Sequence, residues 1–190
     1  LGPAGTFTQQ ALLRINDGEQ TQPFDTVGKA LDAVRSGEVR AALVPIENSV
    51  EGGVSATLDY LAADEPLMIL REVVIPVQFV LAGRSGTALA DVRRVIAHPH
   101  ASAQTRHWLA RNVRHATVTD GRSNAAAAEE VADPASEFDA AVCGRIAADM
   151  YDLEVLADGI ADNKHAVTRF ILVGKPGRST LATGSDKTTL

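Results

Sequence analysis

Three short segments carry side chains that could do chemistry, and each sits where an apolar run meets a polar one. The first is Thr168-Arg169-Phe170, at the mouth of an apolar run that continues to Val173. A charged guanidinium at a strand's end is costly unless something pairs with it. A fork of donors suits a carboxylate, and an adjacent hydroxyl suits an alcohol or a leaving oxygen. Alone, this tripeptide reads equally well as a polar strand end. The second segment is Gly2-Pro3-Ala4-Gly5-Thr6-Phe7-Thr8, directly before a helical pattern. Its glycines allow close approach or positive φ, and the first helical amides with the hydroxyls of Thr6 and Thr8 form an anion cradle. A tight turn with a helix cap fits the same residues. It is neither the dinucleotide fingerprint, which needs a third glycine, nor a Walker loop, which needs Gly-Lys-Ser/Thr.

The third segment, Val44-Pro45-Ile46-Glu47-Asn48-Ser49-Val50-Glu51-Gly52-Gly53, follows a buried strand and precedes a helix. A polar, glycine-rich junction of this kind builds ligand loops. Asn48 and Ser49 supply neutral donors and acceptors, while Glu47 and Glu51 can orient neighbours or a water. His98-Pro99-His100, with Gln104 a turn later, lies between a strand and a helix. Two histidines two apart can bind metal, but no second ligand cluster accompanies them, and a loop or helix cap fits better. Ser123-Asn124 repeats that placement and reads as a cap or a ligand contact.

The elements that position these groups alternate along most of the chain. Helices are predicted over 8–15, over 27–36 after the Asp25-Thr26 cap with Gly37 as the stop, and over 56–63, 101–112, 123–132 and 145–151. Strands are predicted over 20–24, 41–45, 92–97, 117–119, 140–143, 155–157 and 168–173. The run Met68–Ala82 cannot be one central strand, because Pro76 offers no ladder donor; it reads as two strands, or as a strand passing from one lobe to another. This rhythm predicts a mainly parallel α/β fold, most simply two α/β lobes joined by two strands, with the ligand in a cleft between them. Lys175 to Lys187 is rich in Gly, Ser and Thr and reads as a linker.

The chain has 190 residues with 45% hydrophobic and 22% charged, enough for one large domain or two small lobes. A net charge of −6 argues against a nucleic-acid partner. No apolar run approaches the about 20 residues of a membrane span. One cysteine, Cys143, excludes an intrachain disulfide and a multi-cysteine metal site and fits a cytoplasmic home. The first residue is Leu1 and no basic-then-apolar leader opens the sequence, so it is expected to begin inside a longer product.

Taken in order, Gly2–Phe7, Val44–Gly52, His98-Pro99 with Gln104, Tyr151–Leu156, Asp162 and Thr168–Phe170 resemble the prephenate dehydratases over essentially all of the chain. The resemblance implies two α/β lobes like type-II periplasmic binding proteins, with lobe 1 from residues 1–76 plus 165–190 and lobe 2 from 77–164. It implies conversion of prephenate to phenylpyruvate, water and carbon dioxide, without cofactor or metal, in a homo-oligomer (dimer or tetramer). Asp186–Leu190 is similar to the opening of the ACT domain through which phenylalanine inhibits the family, so that domain is expected to be cut off after about residue 185. Thr168, Arg169 and Phe170 become the implied catalytic residues. Gly5, Thr6, Phe7, Thr8, Glu47, Asn48, Ser49 and Gln104 become the implied substrate-binding set. Thr168 would hydrogen-bond the leaving oxygen, while Arg169 would either fix a carboxylate or brace its loop. Two departures stand out: the family commonly has Ser where Thr8 stands and often Asn where Ala166 stands. An arogenate dehydratase, a non-enzymatic carboxylate-binding module of the same fold and a catalytically dead homologue are the alternatives.

Overall fold

The computed structural model describes residues 2, 4–63, 65–177, 184 and 186. Most of the predicted linker and of the Asp186–Leu190 match therefore lies outside the described residues.

Two sheets organise the chain. The first contains β1 (Ala41–Asn48), β2 (Gly52–Gly53), β3 (Met68–Pro76) and β9 (Val167–Gly174), in the order β2-β1-β9-β3. The second contains β4 (Val80–Gly83), β5 (Arg94–Ala97), β6 (Thr117–Asp120), β7 (Ala140–Cys143) and β8 (Glu154–Ala157), in the order β6-β5-β7-β4-β8. Around the first lie α1 (Phe7–Leu13), α2 (Val27–Ser36) and α3 (Ser55–Ala63). Around the second lie α4 (Pro99–Asn112), α5 (Asn124–Ala132) and α6 (Arg145–Met150). The fold is two α/β lobes with a cleft between them, and the chain crosses from one to the other between β3 and β4 and returns before β9.

Local chemistry explains the element ends. Thr26 caps α2, its hydroxyl accepting from Lys29 N at 3.2 Å, and Gly37 closes the helix with φ of 86°. Pro76 is the last residue of β3, as its missing amide requires. The segment 20–24, predicted as a strand, joins neither sheet; Phe24 O instead accepts from Gly2 N at 2.7 Å.

The mainly parallel sheet is not what forms. Among the described residues only β5–β6 and β5–β7 pair in parallel, and every pairing in the first sheet is antiparallel. The cause is insertion: β9 lies between β1 and β3 and opposes both, and β4 lies between β7 and β8 and opposes both. A strand buried on both faces is an unbroken apolar run in either direction.

Each sheet is packed on both faces. In lobe 1, α2 places Val27, Ala30, Leu31 and Val34 against Ala42, Val44, Ile171 and Val173. Burying each Val, Leu or Ile of this set contributes about 1.5–3 kcal/mol. The other face sets Leu43, Val73, Ile75 and Phe170 against Ala11 of α1. Because residues two apart share a strand face, Thr168 turns toward the α1 side with Phe170, and Arg169 turns toward the α2 side with Ile171.

Candidate functional site

The loop after β1 and the first residues of β9 meet through their backbones and side chains together. Ser49 N donates to Val167 O, and Val167 N donates to Ser49 Oγ, both at 2.9 Å. One position further along the ladder Asn48 faces Thr168, and Asn48 Nδ2 donates to Thr168 Oγ1 at 3.0 Å. Which end of the amide is oxygen follows from its other contacts, since Asn48 Oδ1 accepts from Val50 N at 2.9 Å and Glu51 N at 3.3 Å. An oxygen that accepts two backbone N–H groups leaves the other end of the amide to donate. Thr168 Oγ1 is therefore an acceptor in this contact, and its own proton is left to point elsewhere.

Arg169 lies on the opposite face of β9. Its Nη1 is 2.5 Å from Glu47 Oε2, directly across the ladder, and its Nε is 3.2 Å from Glu72 Oε1, diagonally across on β3. Hydrogen bonds to Glu47 and then Glu72 raise the guanidinium's pKa. Glu72 is the residue that sequence reasoning passed over, although it is the one acid in the run Met68–Pro76. Phe170, grouped with the catalytic pair in the sequence, is 2% exposed and belongs to the lobe 1 core.

The turn before α1 is occupied by its own side chains. Thr6 caps the helix, accepting from Gln9 N at 3.3 Å, and Gln9 Oε1 accepts from Gly5 N at 2.6 Å. Gly5 has φ of 82°, and a Cβ there would lie 3.2 Å from Ala147 Cβ and 3.3 Å from Ala125 Cβ of lobe 2. Phe7 also crosses between lobes, meeting Phe79 edge-to-face at 5.6 Å between centroids. Thr8 is buried and lines a cavity of about 1,790 Å³ within lobe 1, among Gln9, Leu12 and Leu43. None of Asn48, Ser49, Thr168 or Arg169 lines that cavity.

The lobe 2 wall is the amino end of α4. His98 caps it, Nδ1 accepting from His100 N at 3.3 Å, and the two rings stack 5.0 Å apart. Burial first, then the neighbouring His100, hold His98 below its usual pKa against weaker opposing pulls from Glu51 and Asp120. Gln104 Nε2 donates to Glu51 Oε1 at 3.1 Å, and His100 Nδ1 pairs with Glu51 Oε2. Asp162 breaks into the α4 ladder behind them. Its amide donates to Gln104 O at 2.8 Å, and its carboxylate accepts from His107 N at 3.0 Å and Trp108 N at 3.1 Å. Ser123 caps α5 through Ala126 N at 3.0 Å. Ala166 meets the outgoing crossing, its carbonyl accepting from Val77 N at 2.8 Å. Among the described residues no three His, Cys, Asp or Glu side chains gather as a metal-ligand set, and no helix is long and apolar enough to cross a membrane.

The structure thus brings Glu47, Asn48, Ser49, Thr168 and Arg169 to one end of the β1–β9 ladder, and reaches Gln104 from there through Glu51. It places Phe7 and Phe170 in apolar packing and Thr8 on the lobe 1 cavity.

A family model described as prephenate dehydratase matches residues 1–178. A curated prephenate dehydratase of Mycobacteroides abscessus is 45% identical over the whole chain, which spans 64% of that relative. The chain is thus shorter than two thirds of the relative's length. Among solved structures, the prephenate dehydratase of Arthrobacter aurescens in complex with L-Phe superposes with a TM-score of 0.91 at 45% identity, covering 97% of this chain and 61% of that one. A structure described as GqqA, a novel type of quorum quenching acylase, superposes with a TM-score of 0.81 at 29% identity, covering 94% of this chain and 63% of that one.

Proposed function

The chain belongs to the prephenate dehydratase family, and from that premise we propose that it converts prephenate to phenylpyruvate, water and carbon dioxide. The ring carboxylate leaves as carbon dioxide, and its bonding pair moves into the ring. The ring C–O bond breaks with its pair on oxygen, which takes a proton and departs as water. Aromatisation drives the step, so catalysis consists of orienting the dianion and assisting the departing oxygen. Gripping the departing carboxylate tightly would stabilise the ground state more than the transition state.

The observation that carries this reading is the Asn48–Thr168 contact. With Asn48 donating, the Thr168 proton is available to hydrogen-bond the leaving oxygen as its negative charge develops. A threonine hydroxyl is too weak an acid to protonate it unaided, so Thr168 relays a proton from a coupled source. Arg169 is a brace in this reading, because it faces away from Thr168 and already carries two carboxylates. Ser49 ties the loop to β9. Gly5, Thr6 and Thr8 hold the pyruvyl carboxylate, which replaces Gln9 Oε1 on the Gly5 amide.

Lobe limits near 76 and 165 fit the two crossings. The longer relatives, one of them solved with L-Phe, support a phenylalanine-binding ACT region in the protein to which this dehydratase part belongs. A cytoplasmic homo-oligomer, dimer or tetramer, is part of the same proposal and follows from the family resemblance alone.

Incubation with prephenate, followed by ultraviolet detection of phenylpyruvate in base, tests the activity, with arogenate run in parallel. The expected result is phenylpyruvate from prephenate, and a Thr168→Val protein slower by about 10²–10³-fold in kcat. Thermal stabilisation by prephenate without product would make the chain a binding module, and faster turnover of arogenate would make it an arogenate dehydratase.

A further inference from the structure

We propose that Glu51 is a positioning residue that makes closure of the two lobes and orientation of Thr168 a single event. Its carboxylate belongs to the loop after β1 in lobe 1, yet both of its oxygens are held by α4 of lobe 2, one by Gln104 Nε2 at 3.1 Å and the other by His100 Nδ1. Its amide donates to Asn48 Oδ1 at 3.3 Å, and the other end of that same amide group donates to Thr168 Oγ1. Asn48 is planar and rigid, so fixing one end of it aims the other. When α4 holds Glu51, the turn over 48–51 is set and the Thr168 proton faces the cleft. When the lobes part, Glu51 loses both partners, and the turn keeps only its local bonds.

The α4 end of the latch is built to stay put. Asp162 is inserted into the helix ladder at Gln104, His107 and Trp108, and His100 is stacked on the capping ring of His98. The grip is specific in kind, since one carboxylate takes an amide donor and an imidazole donor one helical turn apart. The pair is partly exposed, 59% for His100 and 36% for Glu51, so each contact shifts the open–closed balance modestly.

Two nitroxide labels, on Asp59→Cys in α3 and Glu130→Cys in α5, would read the interlobe distance by double electron–electron resonance. Cys143 is fully buried and stays unlabelled. Without any ligand, the parent protein should show mainly the short distance. His100→Ala should lower the closed-to-open ratio about two- to fivefold, and Glu51→Ala by more, because both contacts go. Glu51→Gln, which keeps an acceptor for Gln104, should recover part of the short distance. Only the kinetic half of the test rests on the proposed dehydratase activity: kcat/KM for prephenate should fall by the same factor as the closed population. In the distance measurement, adding His100→Ala and Gln104→Ala to Glu51→Ala should shift the distribution no further. An unchanged distance distribution in Glu51→Ala overturns the latch whatever the activity, and so does an additive triple variant. A shifted distribution in a protein that never turns over prephenate keeps the latch and removes the dehydratase reading.

Discussion

Asn48 Nδ2 donates to Thr168 Oγ1 at 3.0 Å, joining two residues 120 positions apart in the chain. The direction of this bond matters more than its length. A hydroxyl that accepts from a neighbour keeps its proton for a third party, and a hydroxyl that must donate to a neighbour does not. Register supplies the contact, since Asn48 and Thr168 are direct partners on the antiparallel β1–β9 ladder.

Asn48→Asp is the sharpest probe of that direction, because the shape is kept and the donor becomes an acceptor. The carboxylate still accepts from Val50 and Glu51, so the turn survives, but it draws the Thr168 proton to itself. The expected outcome is a fall in kcat of about 10–100-fold, smaller than full loss of a preorganised donor, with melting temperature nearly unchanged. Steady-state kinetics beside a thermal scan checks it, and an unchanged kcat would remove the hydroxyl's direction from the mechanism.

Arg169→Lys separates brace from clamp. Lysine offers one point charge where the guanidinium spans Glu47 and Glu72, so one of the two bonds from residue 169 is lost. The Arg169 side chain is 41% exposed, so the expected stability loss is about 1 kcal/mol or less. As a brace, its loss should lower kcat by about tenfold through displaced strand ends while leaving KM for prephenate near the parent value. A large rise in KM at unchanged kcat would instead make Arg169 a substrate clamp.

How much of this was visible in the sequence depends on how local each feature is. The Thr26 and Ser123 caps, the Gly37 stop and the end of β3 at Pro76 follow from one or two residues, and they were legible. The Val44–Gly53 junction was legible as a polar turn at a strand's end because polar and glycine residues crowd after an apolar run. Strand direction was not, since the Phe170–Val173 run suits either sense and only the path back from lobe 2 decides it. The second carboxylate on Arg169 lies 97 residues earlier on another strand, and no spacing rule reaches it. Asp162 belonged to a recognisable pattern, but its insertion into α4 depends on a tertiary meeting of two segments. Phe7 and Phe170 adjoin the polar residues in sequence, while helix and strand geometry packs Phe7 between the lobes and Phe170 into the lobe 1 core.

Gly5→Ala tests the interlobe approach. The residue has φ of 82°, which a side chain rarely adopts, and the new Cβ would lie 3.2 Å from Ala147 Cβ. The backbone effect costs about 1–3 kcal/mol, and the close methyl contact pushes α1 away from the amino ends of α5 and α6. A melting temperature lowered by several degrees, together with a lowered kcat/KM for prephenate, is the expected result in differential scanning calorimetry and kinetics. A stable, fully active Gly5→Ala protein would show that the turn does not need glycine.

His98 gives the site end of α4 its pH dependence. Burial and His100 lower its pKa from the ordinary 6.5, and its Nδ1 must stay unprotonated to accept from His100 N. Both favour neutral imidazole in the folded state. Below 6.5 the unfolded chain therefore binds the proton more readily, and stability rises with pH in that range. The His98 contribution is fully present above the unfolded value and is lost as pH falls through the lower folded value. His98→Asn keeps an oxygen acceptor at the cap position and removes the titration. Between about pH 7.5 and about pH 5.5, the parent's melting temperature should therefore fall further than that of His98→Asn. Asp158, held low by its hydrogen bond from Arg145, keeps that partner in both proteins and cancels in the comparison. Parallel stability curves for the two proteins would show that His98 does not couple to folding in this range.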